Sequence, residues 1–254
     1  MNKIFYWSPF TSKVATVKAV INSAEAISNS HKSENFKASI INAVNEWEDF
    51  EKEIKEKNID LIYLNKDSLF NRFKKDGFLR SRFAYWYIFI KSFFPLLKTL
   101  KEDKPKFLII HLITSLPLFL FIFKKFDSKL ILRISGFPKM TFLRKILWKL
   151  AIKNVYKITC PTEDTLKDLS KFKFLKDKLY ILRDPILKIK EIQKIRKKDI
   201  NLNEPLSKVI KKEKFFLSIG RFTKQKNFFF YLNCIPEILK LNKDLYFIFI
   251  GQGE

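Results

Sequence analysis

Short apolar runs alternate with stretches of helical periodicity along most of this chain, and no other feature restricts its fold as much. KIFYW (3–7), FKASIINAV (36–44), IDLIYL (59–64) and FLII (107–110) are runs of strand length, and KLILRISGFP, VYKITCPT and KLYILRDPIL continue the series. Between the first two lies VATVKAVINSAEAI (14–27), with Val14, Val17, Ala24 and Ile27 at helical spacing. EWEDFEKEIKEK is a charged helical stretch after the second run. Strands linked by helical crossovers assemble into a parallel sheet covered by helices. The expected fold class is therefore α/β, with residues 1–187 forming one complete Rossmann-like domain.

Residues 188–213 break the pattern. They are charge-rich and glycine-free, and are expected to be a linker. At 214 the alternation resumes: KFFLSIG, a loop, a helix and LYFIFIG make one βαβ unit. Residues 214–254 are thus expected to open a second Rossmann-like domain and to leave it incomplete.

Two other stretches stand out. Residues 78–100 form an aromatic helix whose apolar surface is interrupted by Arg80, Arg82 and Lys91, and TFLRKILWKLAIKN is a basic amphipathic helix. Both could rest on an anionic membrane face. The apolar run 107–123 is at the short limit for a membrane span, but it contains His111, Thr114, Ser115 and Pro117. A buried strand over 107–110, a loop and a short helix fit it better.

The 254 residues carry a formal charge of +24. Such an excess points either to an anionic partner or to lysine-rich drift in composition. Of 50 basic residues only eight are arginine, whereas nucleic-acid surfaces favour arginine for bidentate contacts. A non-enzymatic nucleic-acid- or membrane-surface-binding protein is the alternative that this charge keeps open. The aromatic residues, however, lie in apolar runs rather than on a basic face. Cys160 and Cys234 form no CxxC or zinc spacing, and no signal peptide is visible. A reduced, cytoplasmic chain is expected.

The sharpest local signal is SIGRFTKQKN, where a strand runs into Gly220-Arg221 and Lys226 precedes a helix. The carboxyl end of a parallel strand beside a helix N-terminus favours anions. There Gly220 would let backbone approach a ligand closely, Arg221 can fork onto phosphate oxygens, and Lys226 adds a point charge. A solvated basic loop is the alternative reading.

FFLSIGRFTKQKNFFFYLNCIPEIL…YFIFIGQGE resembles the start of the C-terminal domain in the retaining glycosyltransferases of GT-B family 4, of the bacterial surface-polysaccharide type. The pattern there is a strand, Gly-Arg, QKN or QKG, a helix, and a strand ending in Gly-x-Gly. Gly220, Arg221, Gln225, Lys226, Asn227, Gly251 and Gly253 match it. IIHLITSLP, LRISGFP, YKITCPTEDTLKDL and ILRDPI resemble successive N-terminal segments of the same family, in order.

The resemblance implies an enzyme of the retaining hexosyltransferase class. It would move sugar from a nucleotide-sugar donor to a glycan or lipid-linked acceptor, with no metal or other cofactor. Arg221, Lys226 and Gly220 would hold the donor diphosphate. His111, which otherwise reads as a core histidine, would contact the donor sugar from the cleft. Ser135 and Gly136 could contact acceptor or phosphate, although a tight turn explains the glycine alone. Ser12 or Lys13 could replace the glycines that many relatives carry after the first strand. His31 is expected to be exposed, Thr162 and Glu163 to cap a helix, and Asp184-Pro185 to be a turn. The family's Glu-x7-Glu region would lie beyond residue 254, so a truncated, poorly soluble and inactive chain is expected, peripheral to the membrane at most.

Overall fold

Strand β1 (Asn2–Trp7) is buried from Ile4 to Trp7, as befits a strand covered on both faces. It pairs in parallel with β2 (Phe36–Asn42) on one side and β4 (Phe107–Ile110) on the other. Strand β3 (Asp60–Tyr63) lies outside β2, while β5 (Lys129–Arg133), β6 (Val155–Cys160) and β7 (Leu179–Ile181) extend the sheet beyond β4. The order is β3-β2-β1-β4-β5-β6-β7, and every pairing is parallel. The structure is a computed structural model that describes residues 2–12, 15–29, 35–66, 70, 78–198, 202–211 and 214–253. The chain divides into two units, Met1–Lys188 and Ile189–Glu254.

Side chains alternate across β1, and the two faces feed two cores. Ile4 and Tyr6 join Val17, Val20, Ile21 and Ala24 of α1 (Ala15–Ser28), with Trp47 beside them. Phe5 and Trp7 join Ile88 and Leu96 of α3 (Phe78–Asp103) and Leu116 of α4 (Ser115–Phe123). Each large side chain so buried stabilises the fold by about 1.5–3 kcal/mol. Among the described residues the remaining α-helices of this unit are α2 (Glu51–Glu56), α5 (Phe142–Ala151) and α6 (Glu163–Ser170). The Thr162 hydroxyl accepts from the Thr165 N–H at 3.2 Å and caps α6, as its position predicts.

The apolar run 107–123 is divided between β4 and α4, as expected. Among the described residues no helix is long and apolar enough to cross a membrane. The stretch read from sequence as a linker, 188–213, carries two helices, α7 (Ile189–Arg196) and α8 (Glu204–Lys211), and from Ile189 onward groups with the second unit.

That second unit contains β8 (Phe215–Ile219), α9 (Phe228–Leu241) and β9 (Tyr246–Ile250), with the strands parallel. The Phe216 and Phe247 rings stack at 5.4 Å, and Phe228 meets Phe222 and Phe249 edge-on. Ile219, Phe229, Phe230 and Leu241 remain exposed.

Candidate functional site

In the first sheet the strand order changes direction between β1 and β4. In open α/β sheets ligands bind outside the carboxyl ends of the strands at such a switch point. The register aligns Trp7 with Ile41 on one side and Ile110 on the other, so Ser8, Asn42 and His111 occupy the next level. All three are fully buried. The Ser8 hydroxyl, both Asn42 amide atoms and both His111 ring nitrogens have no hydrogen-bond partner among the described residues. Burying such a group unpaired costs about 1–3 kcal/mol.

His111 is held there by the sheet itself, since its N–H donates to the Trp7 carbonyl at 2.8 Å. Burial, reinforced by the nearby Arg133 charge, pushes its imidazole down to about 3, so it is neutral. The Tyr6 ring lies 6.4 Å away, and burial raises that phenol to about 12 although its hydroxyl pairs with Ser23. The next residue, Leu112, has φ 49, a left-handed conformation that a bulky side chain seldom takes. It turns the chain sharply into the loop before α4.

Two cavities flank this loop. The larger, about 450 Å³, is lined by the loop after β1, the start of α3, residues 112–115 and α5. Ser12 lines it, as do Arg82 and Arg144. The smaller, about 210 Å³, is lined by Arg133, Ser135 and Gly136, and shares Leu112, Thr114, Arg144 and Trp148 with the larger one. The structure therefore gathers Ser12, Ser135 and Gly136 around one loop, with His111 sealed just behind it. Lys13 and His31 lie outside the described residues.

The glycine at 136 needs a correction. A Cβ there would meet no atom within 4 Å, and its φ is not left-handed. A tight turn therefore does not require glycine; the position is simply open.

Sequence reasoning missed Arg133. Its guanidinium is buried and donates twice to Asp184 Oδ1, at 2.7 and 3.1 Å, and once to the Arg183 carbonyl at 3.1 Å. Asp184-Pro185 is the expected turn, with Ile186 N–H bonded to the Asp184 carbonyl at 2.9 Å. It is also a clasp, because Asn22 donates to the Pro185 carbonyl and Lys188 pairs with Glu25, both at 2.7 Å. Burial opposes the Glu25 charge, but Lys188 and Lys57 outweigh it and hold the carboxyl below its usual range.

In the second unit the site residues cluster at one strand end. Gly220 N–H bonds the Ile250 carbonyl at 2.9 Å, and Phe222 N–H bonds the Gln252 carbonyl at 2.8 Å. Arg221 and Lys226 are exposed, and neither has an acidic partner among the described residues. Asn227, the residue before α9, sits at φ 49, ψ 46, and its side chain makes no capping bond. Asparagine and glycine are the residues that tolerate this left-handed geometry, which explains why either follows Gln-Lys in the motif. A Cβ on Gly220 would meet only Phe228 and Lys226 side-chain atoms, at 3.6–3.8 Å, so packing does not demand this glycine.

The first unit also presents two apolar helix faces. On α3, Leu79, Phe83, Trp86, Ile90 and Phe94 recur every three or four residues, and each is more than 60% exposed. On α5, Phe142, Leu143, Ile146 and Leu150 are exposed, interleaved with Lys145 and Lys149.

No protein-family model matches the chain. It is 29% identical over 184 residues to an uncharacterized glycosyltransferase of Methanocaldococcus jannaschii, covering 65% of this chain and 44% of that relative. Among solved structures it resembles the UDP-GlcNAc 2-epimerase of Neisseria meningitidis bound to UDP-GlcNAc, with TM-score 0.57, 15% identity, 99% of this chain and 66% of that one. A glycosyltransferase of Rickettsia africae gives TM-score 0.55, 15% identity, 98% and 68%. Anabaena HepE in complex with UDP and glucose gives 0.54, 10%, 100% and 62%. The chain thus has an α/β, GT-B-like fold. It spans less than half of the curated relative and about two thirds of these structures.

Proposed function

We propose that this chain belongs to a glycosyltransferase that uses a nucleotide-sugar donor. The observation that carries this reading is the loop 220–227: three exposed cations, Arg221, Lys224 and Lys226, without acidic partners among the described residues, at a parallel-strand end and ahead of a helix N-terminus with no side-chain cap. Such a loop can neutralise a diphosphate whose charge grows as the glycosidic bond breaks. Relatives named for glycosyl transfer or bound to UDP-sugars support it, and they favour it over the nucleic-acid reading. Transfer to a glycan or lipid-linked acceptor, with retention and without a metal, completes the proposal. Arg221, Lys226 and Gly220 hold the donor diphosphate. Ser12, Ser135 and Gly136 serve the acceptor side.

Titration with UDP and UDP-glucose tests the donor site. Arg221→Ala and Lys226→Ala should each weaken binding roughly ten- to hundredfold, the worth of a charge-assisted phosphate contact. Unchanged affinity in both variants removes the diphosphate role. Because epimerases also bind UDP-sugars, acceptor-dependent release of UDP is the readout that separates transfer from epimerisation.

The apolar faces of α3 and α5, bordered by Arg80, Arg82, Lys91, Lys145 and Lys149, fit an anionic membrane surface. The protein should float with phosphatidylglycerol vesicles and less with phosphatidylcholine ones. Trp86→Glu with Phe83→Glu should abolish flotation; flotation equal on both lipids, or unchanged in the double variant, contradicts this docking.

A further inference from the structure

We infer that Phe228 is a positioning residue for Arg221: its ring holds the residues on either side of that cation and so presets the anion site, an inference that rests on the donor reading and deepens it. Arg221 has no acidic partner among the described residues, so no ion pair directs its side chain. Its aim depends instead on how firmly the backbone around it is held. Before it, the Gly220 N–H donates to the Ile250 carbonyl at 2.9 Å; after it, the Phe222 N–H donates to the Gln252 carbonyl at 2.8 Å. The Arg221 carbonyl accepts from the Thr223 N–H at 2.9 Å, and the Lys226 N–H closes the loop on the Thr223 carbonyl at 3.0 Å. Backbone bonds at an exposed strand end open easily, so side-chain packing decides whether the loop keeps its shape.

That packing is aromatic. Phe228 opens α9, and its ring lies beside Gly220: a Cβ there would stand 3.6 Å from the ring and 3.8 Å from the Lys226 stem. The Phe222 ring meets Phe228 edge-on at 4.9 Å, and the Phe249 ring of β9 meets it edge-on at 5.7 Å. Edge-to-face pairs fix orientation in a way that aliphatic contacts do not. Phe222 in turn is seated on Gly251 and Gly253, since a Cβ on either glycine would come within 3.1 Å of the Phe222 side chain. One ring therefore flanks the residue before Arg221, packs on the residue after it, and ties both to β9. Phe228 carries no group that could bind phosphate, so any effect on an anion must pass through its neighbours.

UDP titration and amide exchange of the full chain test this together. In Phe228→Leu the amides of Phe222, Lys226 and Asn227 should exchange at least tenfold faster, while protection over 215–219 and 246–250 persists. UDP binding should weaken about tenfold, the worth of one well-aimed charge-assisted contact. Arg221→Ala, costly in the wild type, should then cost less than threefold in the Phe228→Leu background, because a misdirected guanidinium has little left to lose. A ring that merely stabilised the unit would leave the two losses multiplicative. If Phe228→Leu also loses the strand protection, Phe222→Leu, whose ring is 41% exposed, should reproduce the pattern with the strands intact. Unchanged loop exchange, or multiplicative losses in the double variant, overturns this inference and leaves the donor reading standing. Full UDP affinity in Arg221→Ala alone defeats the donor reading, and this role with it.

Discussion

Gly251→Ala is expected to disrupt the β8–α9–β9 unit while leaving the first unit intact. An added Cβ at 251 would lie 1.9 Å from the Gly220 carbonyl oxygen and 3.1 Å from the Phe222 ring. The first contact is with main chain, which no rotamer change can relieve. The two strand ends are locked by the Gly220–Ile250 and Phe222–Gln252 hydrogen bonds, so the backbone must separate where it is paired. Overpacking of this kind costs about 3 kcal/mol. A unit that already exposes Ile219, Phe229 and Leu241 has little burial to set against that cost. Amide exchange is the measurement. Protection over 215–219 and 246–250 should collapse in Gly251→Ala, and UDP affinity should fall with it. Gly220→Ala is the control, since its Cβ meets only ordinary side-chain contacts. It should keep the protection and lose donor affinity alone. Wild-type protection in Gly251→Ala would show that the strand ends can part freely.

The contrast between these glycines marks what the sequence could reveal. The motif from Gly220 to Asn227 is contiguous, so its place between a strand and a helix was legible, whereas the left-handed Asn227 emerges only from the backbone. The strands were legible too, because a strand buried on both faces has to be a short apolar run. The order β3-β2-β1-β4 was not, since alternation alone does not say which edge of β1 receives β4. Nor was the Arg133–Asp184 pair, whose members are 51 positions apart in sequence. The larger cavity draws Ser12, Arg82, Thr114 and Arg144 from four separate segments. Only the topology brings them together: in sequence Ser12 reads as part of the first strand–helix loop and Arg82 as part of a membrane-facing helix, and nothing marks Arg144 as their neighbour.

Acidification from pH 7 to pH 5 should destabilise the first unit by about 2 kcal/mol through His111 alone. The folded imidazole is pushed down to about 3, whereas the unfolded one protonates near its ordinary 6.5. Across this window the unfolded chain binds a proton that the folded chain refuses, so stability rises with pH. The contribution is complete above 6.5 and is lost as pH falls toward 3, at a limiting rate of about 1.4 kcal/mol per pH unit. Glu25 and Glu53 act in the same direction but lower. Burial opposes their charges, lysine partners more than offset it, and their carboxyls titrate below 4.5. The interval from 7 to 5 therefore isolates the histidine. Trp7, Trp47, Trp86 and Trp148 all belong to the first unit, so urea unfolding followed by tryptophan fluorescence reports on it selectively. His111→Gln removes the titration while keeping a polar side chain of similar reach. Its stability offset at pH 7 is immaterial; the difference in slope is the observable. The variant's stability should change about 2 kcal/mol less between the two pH values, and an identical slope would mean that His111 is solvated or paired in the folded chain.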